Sequence, residues 1–242
     1  MESNANVTTG ALASGRKKIR QKRSQKTYDA LISTAFKLLE HREFDEISIA
    51  ELAKKAGYSV GAFYARFRSK DELFDAMVER HIEERLETRA AMFDSLPDER
   101  LVGALIEELV SSYWARRKFW RAALIRSVRD PEFWEPIRKL GHKFSASLLE
   151  KMSSRAGRPL TKTEETNVRF AVQLALGTIN NAIINRPGPL FMGQALFVEN
   201  LAHAFRLVSG YDELTRPRLA ARKTKKPSAK KPARRRRSTT RA

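Results

Sequence analysis

Three side chains that can bind phosphate oxygens lie close together in the stretch SIAELAKKAGYSVGAFYARFRSKDEL, residues 48–73. Tyr64 offers a hydroxyl, and Arg66 and Lys70 offer cations, and such groups commonly contact the backbone of a nucleic acid. Just before them, Gly61 and Ala62 have almost no side chain, so the main chain there can approach a base edge or a phosphate. The residue types and their spacing therefore indicate nucleic-acid binding.

Two short helices joined by a glycine turn must position these groups. Ser48 and Glu51 are spaced as a capping box that starts the first helix, and Gly57 ends it, because the residue past a helix often needs positive φ. Ser59 can cap the second helix, whose apolar residues recur every three or four positions: Val60, Phe63 and Phe67. Two such helices at a sharp angle form a helix-turn-helix, whose second member enters the DNA major groove. The alternative is a plain helical hairpin whose charges face water.

The segment AGYSVGAFYARFRSKDELF resembles the DNA-binding signature of the TetR/AcrR family of bacterial transcriptional regulators. The resemblance covers roughly residues 27–75, beyond which only the helical pattern and the length agree. The positions that match in register are Gly57, Ser59, Gly61, Phe63, Tyr64, Phe67, Lys70 and Leu73.

This resemblance implies a role for each matching position. Tyr64 and Lys70 would bind phosphates, and Ser48 would touch the DNA backbone from the preceding helix. Arg66 stands where many members carry histidine, so its charge suits a phosphate but its contact departs from the family pattern. The residues nearest the bases would be Ser59, Val60, Gly61 and Ala62.

Helical periodicity continues through the rest of the chain, and no alternating strand pattern of useful length interrupts it. The prediction is an all-α fold of about nine helices. Residues 27–75 are expected to form a three-helix DNA-binding domain, and residues 76–215 a larger helical domain for effector binding and dimerisation. A long helix from Ser69 to about Phe93 would join the two.

The net charge of +19 is concentrated at the two ends of the chain. Residues 1–26 hold seven cations and one acid, residues 216–242 hold thirteen cations and no acid, and residues 27–215 are balanced. Arms of this composition are expected to be disordered. The N-terminal arm could enter a minor groove, and the C-terminal arm could attract phosphates without regard to sequence. The alternative is a pair of idle solubilising tails.

Aromatic residues gather in the middle of the chain and could line an apolar ligand pocket. Ordinary core packing is the alternative for any one of them, whereas the family resemblance implies a ligand cavity among these helices. The effector would be an apolar or amphipathic small molecule. The cationic residues nearby, such as Arg116 and Lys118, could attract an anion or could simply face solvent. The aromatic candidates are Tyr113, Trp114, Phe119, Trp120, Phe133 and Trp134.

The last two long helices are apolar on more than one side, which indicates burial on both faces. One face could serve the core and the other a second copy of the chain, or each helix could be central to a single core. The resemblance implies a homodimer, whose two recognition helices would read half-sites about 34 Å apart on a palindromic operator. The predicted interface residues are Phe170, Leu174, Phe197, Leu201 and Phe205.

Other functional classes find little support in the sequence. The chain has no cysteine, which fits a reducing compartment and excludes disulfides and thiolate metal sites. Its start lacks an apolar signal core and no apolar run is long enough to cross a membrane, so a cytoplasmic protein is expected. HExxH, GxxxxGK[ST] and GxSxG are all absent, so no catalytic residue, metal or cofactor is predicted. The expected function is a ligand-responsive repressor; the alternative is an architectural protein that coats the nucleoid through its basic arms.

Overall fold

The computed structural model describes residues 24–215, which form ten α-helices and two single 3₁₀ turns, Phe44–Glu46 and Glu132–Trp134, with no strand in that range. The all-α prediction is confirmed. The helix that the sequence pattern missed is the last one, a five-residue helix that follows Gly210. The helices are α1 (24–39), α2 (Ile49–Lys55), α3 (Val60–Tyr64), α4 (Lys70–Ser95), α5 (Asp98–Ala115), α6 (Arg117–Arg129), α7 (Glu135–Ala156), α8 (Lys162–Ile184), α9 (Ala195–Ser209) and α10 (Tyr211–Thr215).

Helix α1 is longer at its start than the sequence analysis assumed. Residues 24–26, which were assigned to the N-terminal arm, are helical. One reason is local, since the Gln25 amide donates to the Asp29 carboxylate one turn later, at 3.2 Å, and such i,i+4 pairs support a helix. The remaining predictions for the two arms concern residues 1–23 and 216–242, which lie outside the described residues.

Serine hydroxyls cap three consecutive helices of the helix-turn-helix region. Ser48, Ser59 and Ser69 each accept the backbone N–H three residues ahead, at 3.1 Å. The capping box predicted for Ser48 and Glu51 is one-sided, however, and so is the cap at Ser69, because the glutamates at the third helical position have other partners. Glu51 pairs with Arg42 and Lys55, and Glu72 accepts from the backbone N–H of Arg68.

A single aromatic side chain on α6 joins the first three helices to the rest of the chain. Phe119 is fully buried, with its ring centroid 5.3 Å from that of Phe36 on α1 and 5.1 Å from that of Phe74 on α4. Its neighbour Trp120 stacks at 4.1 Å on Tyr113 of α5. The hydrophobic core is therefore continuous from α1 to α9, and the helix-turn-helix unit is held against the body by core packing.

Helices α4, α7 and α8 have 26, 22 and 23 residues. Charged residues recur along all three, and across residues 24–215 no helix has both the length and the apolar character of a membrane span.

Two of the turns between helices depend on glycine, since Gly57 after α2 has φ of +80° and Gly157 after α7 has φ of +64°. Glycine adopts this left-handed conformation without strain.

Candidate functional site

Helix α3 turns its small and exposed residues outward and is anchored by one buried ring. Phe63 has no exposed surface, and its ring lies 5.5 Å from that of Phe67, which in turn stacks on Tyr28 of α1 at 5.1 Å. On the other side, Val60 is 40% exposed and Tyr64 is 53% exposed. The helical pattern alone grouped Val60 with the core; the structure places it on the surface, at the start of the helix that the resemblance assigns to the bases.

The two serines assigned to DNA contact serve as helix caps and remain exposed. Ser48 caps α2 and Ser59 caps α3, each through its oxygen lone pair. A hydroxyl that accepts one hydrogen bond still has its own hydrogen to donate. Capping is therefore compatible with donation to a phosphate oxygen at the same two positions.

The fold does not require a glycine at position 61. A Cβ atom built there would meet only the Ser59 hydroxyl oxygen, at 3.8 Å. Glycine inside a helix costs roughly 0.5–1 kcal/mol relative to alanine. The chain thus has an unfavourable residue at an exposed position of α3 with no packing reason for it, whereas Gly57 nearby is fixed by its positive φ.

Lys70 has a different role from the one that the sequence predicted. Its Nζ donates to three backbone carbonyls, those of Phe44 at 2.8 Å, Ile47 at 3.0 Å and Asp45 at 3.4 Å. The same ammonium lies 4.5 Å from the centroid of the Phe44 ring. A lysine has three N–H donors, so none is left for a phosphate in this arrangement. Lys70 holds the turn before α2 against the start of α4.

Arg66 is also tied to the protein's own backbone. Its Nε donates to the Ser24 carbonyl at 3.2 Å and its Nη1 to the Ala65 carbonyl at 2.8 Å. It therefore links the beginning of α1 to the end of α3, and only part of its guanidinium remains available. Sequence reasoning missed two exposed cations of the same segment, Lys54 and Arg68, whose side chains have no partner among the described residues. Their position inside residues 48–73 was the available signal.

A cavity of about 590 Å³ lies among α4, α5, α6, α7 and α8. Three of the six predicted effector residues line it: Tyr113, Trp120 and Trp134. The aliphatic and aromatic wall that the sequence analysis did not foresee comes mainly from α5, α7 and α8, and includes Leu105, Leu109, Ile137, Leu140, Phe144 and Val172.

The other three predicted effector residues do not line the cavity. Phe119 is directed to the aromatic cluster of α1 and α4. Phe133 lies 5.8 Å from Phe74, with the Arg126 guanidinium 4.3 Å above its ring. Trp114 is 39% exposed. Neighbours in a helix point in different directions, so a cluster in sequence is split between a cavity, a core and the surface.

His81 on α4 is a cavity residue that the sequence analysis did not select. Its side chain is 2% exposed, and Nδ1 lies 2.7 Å from Nη1 of Arg116. Burial, followed by the charges of Arg116, Arg85 and Arg89, lowers the pKa of His81 to about 3. The imidazole is therefore neutral at physiological pH and accepts a hydrogen bond from the guanidinium through Nδ1.

Cations in the α5–α6 junction and along α6 contact the helix-turn-helix unit and the start of α4. Arg116 lies 4.2 Å above the Phe36 ring and pairs with Glu84 at 2.9 Å. Lys118 donates to the His41 carbonyl at 2.8 Å. Further along, Arg126 pairs with a carboxylate of α4, Asp75, at 2.9 Å. The charges that the sequence left open between a ligand and solvent thus connect the two parts of the chain.

The predicted dimer residues separate onto two faces. Phe197, Leu201 and Phe205 are at most 6% exposed and pack in the protein's own core, so little of their surface is left for a second copy of the chain. Phe170 is 52% exposed and Leu174 is half-buried. The exposed apolar residues of α9 are instead Leu196 (57%) and Leu207 (69%). Both sides of this helix are apolar, and periodicity does not reveal which side the monomer covers.

The first part of the chain is similar to known proteins. Residues 31–77 match the family model described as bacterial regulatory proteins, tetR family. The HTH-type transcriptional regulator EthR of Mycolicibacterium smegmatis is 30% identical over 137 residues, which cover 54% of this chain and 63% of that protein. The HTH-type transcriptional regulator YwcC of Bacillus subtilis is 26% identical over 107 residues, 41% of this chain and 48% of that protein.

The chain thus spans about half to just under two thirds of the curated relatives that it matches. A solved structure of a tetR-family transcriptional regulator from Streptomyces coelicolor superposes with a TM-score of 0.59 at 21% identity, and the match covers 79% of this chain and 85% of that one. This likeness shows the fold.

Replacing Lys70 by methionine is expected to lower stability. The Lys70→Met variant keeps the apolar stem but leaves three backbone carbonyls without their donor, which costs about 1–3 kcal/mol of unfolding free energy. Urea unfolding measures this. Lys54→Met, at an exposed position, is the matched control and should change stability by less than about 0.5 kcal/mol. If Lys70→Met is as stable as the wild type and loses only DNA binding, the lysine acts on phosphates after all.

His81 should make the protein acid-sensitive. The folded state keeps this histidine neutral down to about pH 3, whereas the unfolded chain binds the proton below its usual pKa of about 6.5. Stability is therefore lost as pH falls from 6.5 towards 3, on the order of 2 kcal/mol by pH 5. His81→Gln retains an acceptor that does not titrate. Urea unfolding at pH 7.5 and 5.0 should show a larger loss for the wild type and for His41→Gln, an exposed control, than for His81→Gln. Equal losses in all three contradict the assignment.

Proposed function

We propose that the chain is a DNA-binding transcriptional repressor of the tetR family of bacterial regulatory proteins, whose family model matches residues 31–77. It acts as a homodimer on a palindromic operator and is released by a small apolar or amphipathic effector. The observation that carries the proposal is the outer surface of α3. It is exposed, small at its centre and fixed from beneath by a fully buried ring.

The surface of α3 has the chemistry of a major-groove reader. Gly61 lets the backbone approach the base edges, and the exposed Val60 offers an apolar contact of the kind that thymine methyl groups receive. Tyr64 supplies a hydroxyl for a phosphate at the end of the helix. Ser48 and Ser59 add donors at the starts of α2 and α3. Because Lys70 is bonded to backbone carbonyls, exposed cations such as Arg68 contact the phosphates in its place.

A five-residue recognition helix covers only a few base pairs, so operator specificity requires two copies. The outer sides of α8 and α9 provide a surface for this. Phe170, Leu196 and Leu207 are each more than half exposed, and α8 and α9 pack against each other. Exposed apolar residues grouped on neighbouring helices mark interaction sites. A two-fold pairing of this face gives a four-helix bundle in which both copies of the chain use the same surface patch.

Helix α6 connects the cavity to the reading helix. Trp120 lines the cavity, and the preceding residue, Phe119, packs in the aromatic cluster of α1 and α4. Arg116, at the start of α6, contacts both the cavity residue His81 and Phe36 of the helix-turn-helix unit. An effector that repositions the Trp120 ring therefore shifts the contacts that orient α1 and α4. Effector binding favours an arrangement of lower operator affinity.

This function places the protein in the bacterial cytoplasm, where its operator is. The alternative function, an architectural coat of the nucleoid, is favoured by one observation. The excess positive charge resides in residues 1–26 and 216–242, and charge of this kind binds any duplex. Competition with random DNA separates the two functions, since a repressor keeps its operator in excess competitor and a coat does not.

Enlarging residue 61 should separate folding from DNA binding. Gly61→Leu is expected to be at least as stable as the wild type, because the position has room and leucine favours a helix. The same side chain obstructs the approach to the bases, so operator binding should be lost. Footprinting upstream of the chain's own gene supplies the operator, and gel shifts with excess random DNA measure binding.

The control is Gly103→Ala on α5, where an added Cβ meets nothing within 4 Å. It should retain operator binding. A Gly61→Leu protein that binds the operator like the wild type would exclude α3 as the reader.

Charges placed on the outer face of α9 should dissociate the dimer. The double variant Leu196→Glu/Leu207→Glu alters two residues that the monomer leaves exposed, so the fold should persist while sedimentation equilibrium shows the monomer mass and the operator is no longer bound. Val128→Glu is the control, since Val128 is 84% exposed and lies on α6, which contributes none of the proposed interface residues. A wild-type protein of monomer mass at micromolar concentration would rule out the dimer.

A further inference from the structure

We propose that the cavity binds an amphipathic monoanion, such as a carboxylate with an apolar tail, and that Arg89 receives the anionic group. The inference deepens the proposed function, because it gives the chemical class of the effector. It rests on that function only in treating the cavity as the effector site.

The cavity wall is apolar with cationic and neutral polar groups, and no lining residue is Asp or Glu. Its charged members are Arg89, Arg138 and Arg169. Arg138 is half exposed and forms an ion pair with Glu135, and Arg169 is exposed on α8. Arg89 is the secluded one, with a side chain only 11% exposed.

The charges around Arg89 do not balance. Arg85 and Arg89 share one carboxylate, Glu108, at 2.7 and 3.3 Å. The nearby Arg116 has a carboxylate of its own, Glu84, at 2.9 Å. These three guanidiniums face two carboxylates, and His81 beside them is neutral. One positive charge is therefore in excess where the side chains of Glu108 and Arg89 are only 12% and 11% exposed. A secluded charge without a counter-ion is unfavourable, and an anion in the cavity offsets it.

The free donors in this wall suit an anion as well. Arg89 uses Nε for Glu108, and its two Nη groups have no acceptor within residues 24–215. The Trp120 indole N–H, in a ring that is 1% exposed, also has no acceptor among the residues described. Burial raises the pKa of Tyr113, so its hydroxyl remains protonated. A guanidinium with both Nη groups free binds a carboxylate in a two-point, charge-assisted arrangement.

The rest of the cavity suits an apolar tail. Aliphatic residues of α5 and α7 line it, among them Leu105, Ile106, Leu109, Ile137 and Leu140. A volume of about 590 Å³ lies in the usual range for small-molecule sites. A straight-chain or aromatic tail fits such a wall, while the hydrophilic end takes up the position beside Arg89.

The test compares three probes of equal length on the full chain at pH 7.5: octanoate, octanamide and octylamine. Isothermal titration measures affinity, and tryptophan fluorescence in a Trp114→Phe background, which leaves only Trp120 and Trp134, reports occupancy of the cavity. Octanoate should bind about tenfold or more tightly than octanamide, because one charge-assisted contact separates them, and octylamine should bind more weakly still. Equal binding of octanoate and octanamide, stronger binding of octylamine, or no binding of octanoate at millimolar concentration would overturn the proposal.

Two variants locate the charge. Arg89→Gln should abolish the preference for octanoate over octanamide, whereas Arg121→Gln, which removes an exposed cation of α6 outside the cavity, should preserve it. Glu108→Gln serves where Arg89→Gln does not fold, since it keeps both arginines and should tighten octanoate binding. A preference that persists in Arg89→Gln, or weaker octanoate binding by folded Glu108→Gln, would count against the proposal.

Operator binding with and without octanoate distinguishes this inference from the proposed function. If octanoate binds with the expected selectivity and operator affinity does not change, release by effector fails while the ligand class stands. If the operator is bound specifically but the cavity shows no charge preference, the ligand class fails while the regulator stands.

Discussion

The burial of Phe119 is the contact on which the relation between the two parts of the chain depends. Its ring touches Phe36 of α1 and Phe74 of α4, while the next residue, Trp120, lines the cavity. Successive residues of a helix are rotated by about 100° around its axis, so two neighbouring aromatic residues on α6 reach two different environments. A helix of 13 residues that contributes to both a cavity and the helix-turn-helix unit cannot shift in one without disturbing the other.

Electrostatic contacts also join α6 to the helix-turn-helix unit and to α4. Lys118 and Arg126 of α6 reach the helix-turn-helix unit and the first turns of α4, and Arg116 adds a guanidinium stacked on Phe36. These pairs are partly exposed, so each contributes little to stability, but together they fix an orientation. The short helices α2 and α3 could not fold alone at seven and five residues. Their geometry is supplied by the body that also contains the cavity.

Features decided within a few residues could be predicted from the sequence. Ser48 and Ser59 cap helices as expected, and Gly57 ends α2 with positive φ. Features decided by distant partners could not. The ammonium of Lys70 is occupied by a turn more than twenty residues away, and no local pattern contains that turn.

The same limit applies to the candidate site. His81 carries no motif, and its place in the cavity arises from α6 and α5 folding against α4. On α9, the residues Phe197 and Leu196 are neighbours of equal hydrophobicity, yet one is 6% exposed and the other 57%. Periodicity identifies that such a helix has two apolar sides, and only the packed structure shows which one remains open.

The candidate site is also where the chain departs from what stability alone would favour. Gly61 weakens a short exposed helix without relieving any contact, the Trp120 N–H is buried without an acceptor, and the group around Arg89 has one cation too many. Natural sequences tend to violate local rules at functional positions, where a ligand completes the interaction. The three departures lie on two surfaces, the outer side of α3 and the wall of the cavity, and α6 joins those surfaces through Phe119. Under the proposed function, DNA at the first surface would use the room that Gly61 leaves, an anion at the second would complete the groups around Arg89, and the packing between the two surfaces would couple the two binding events.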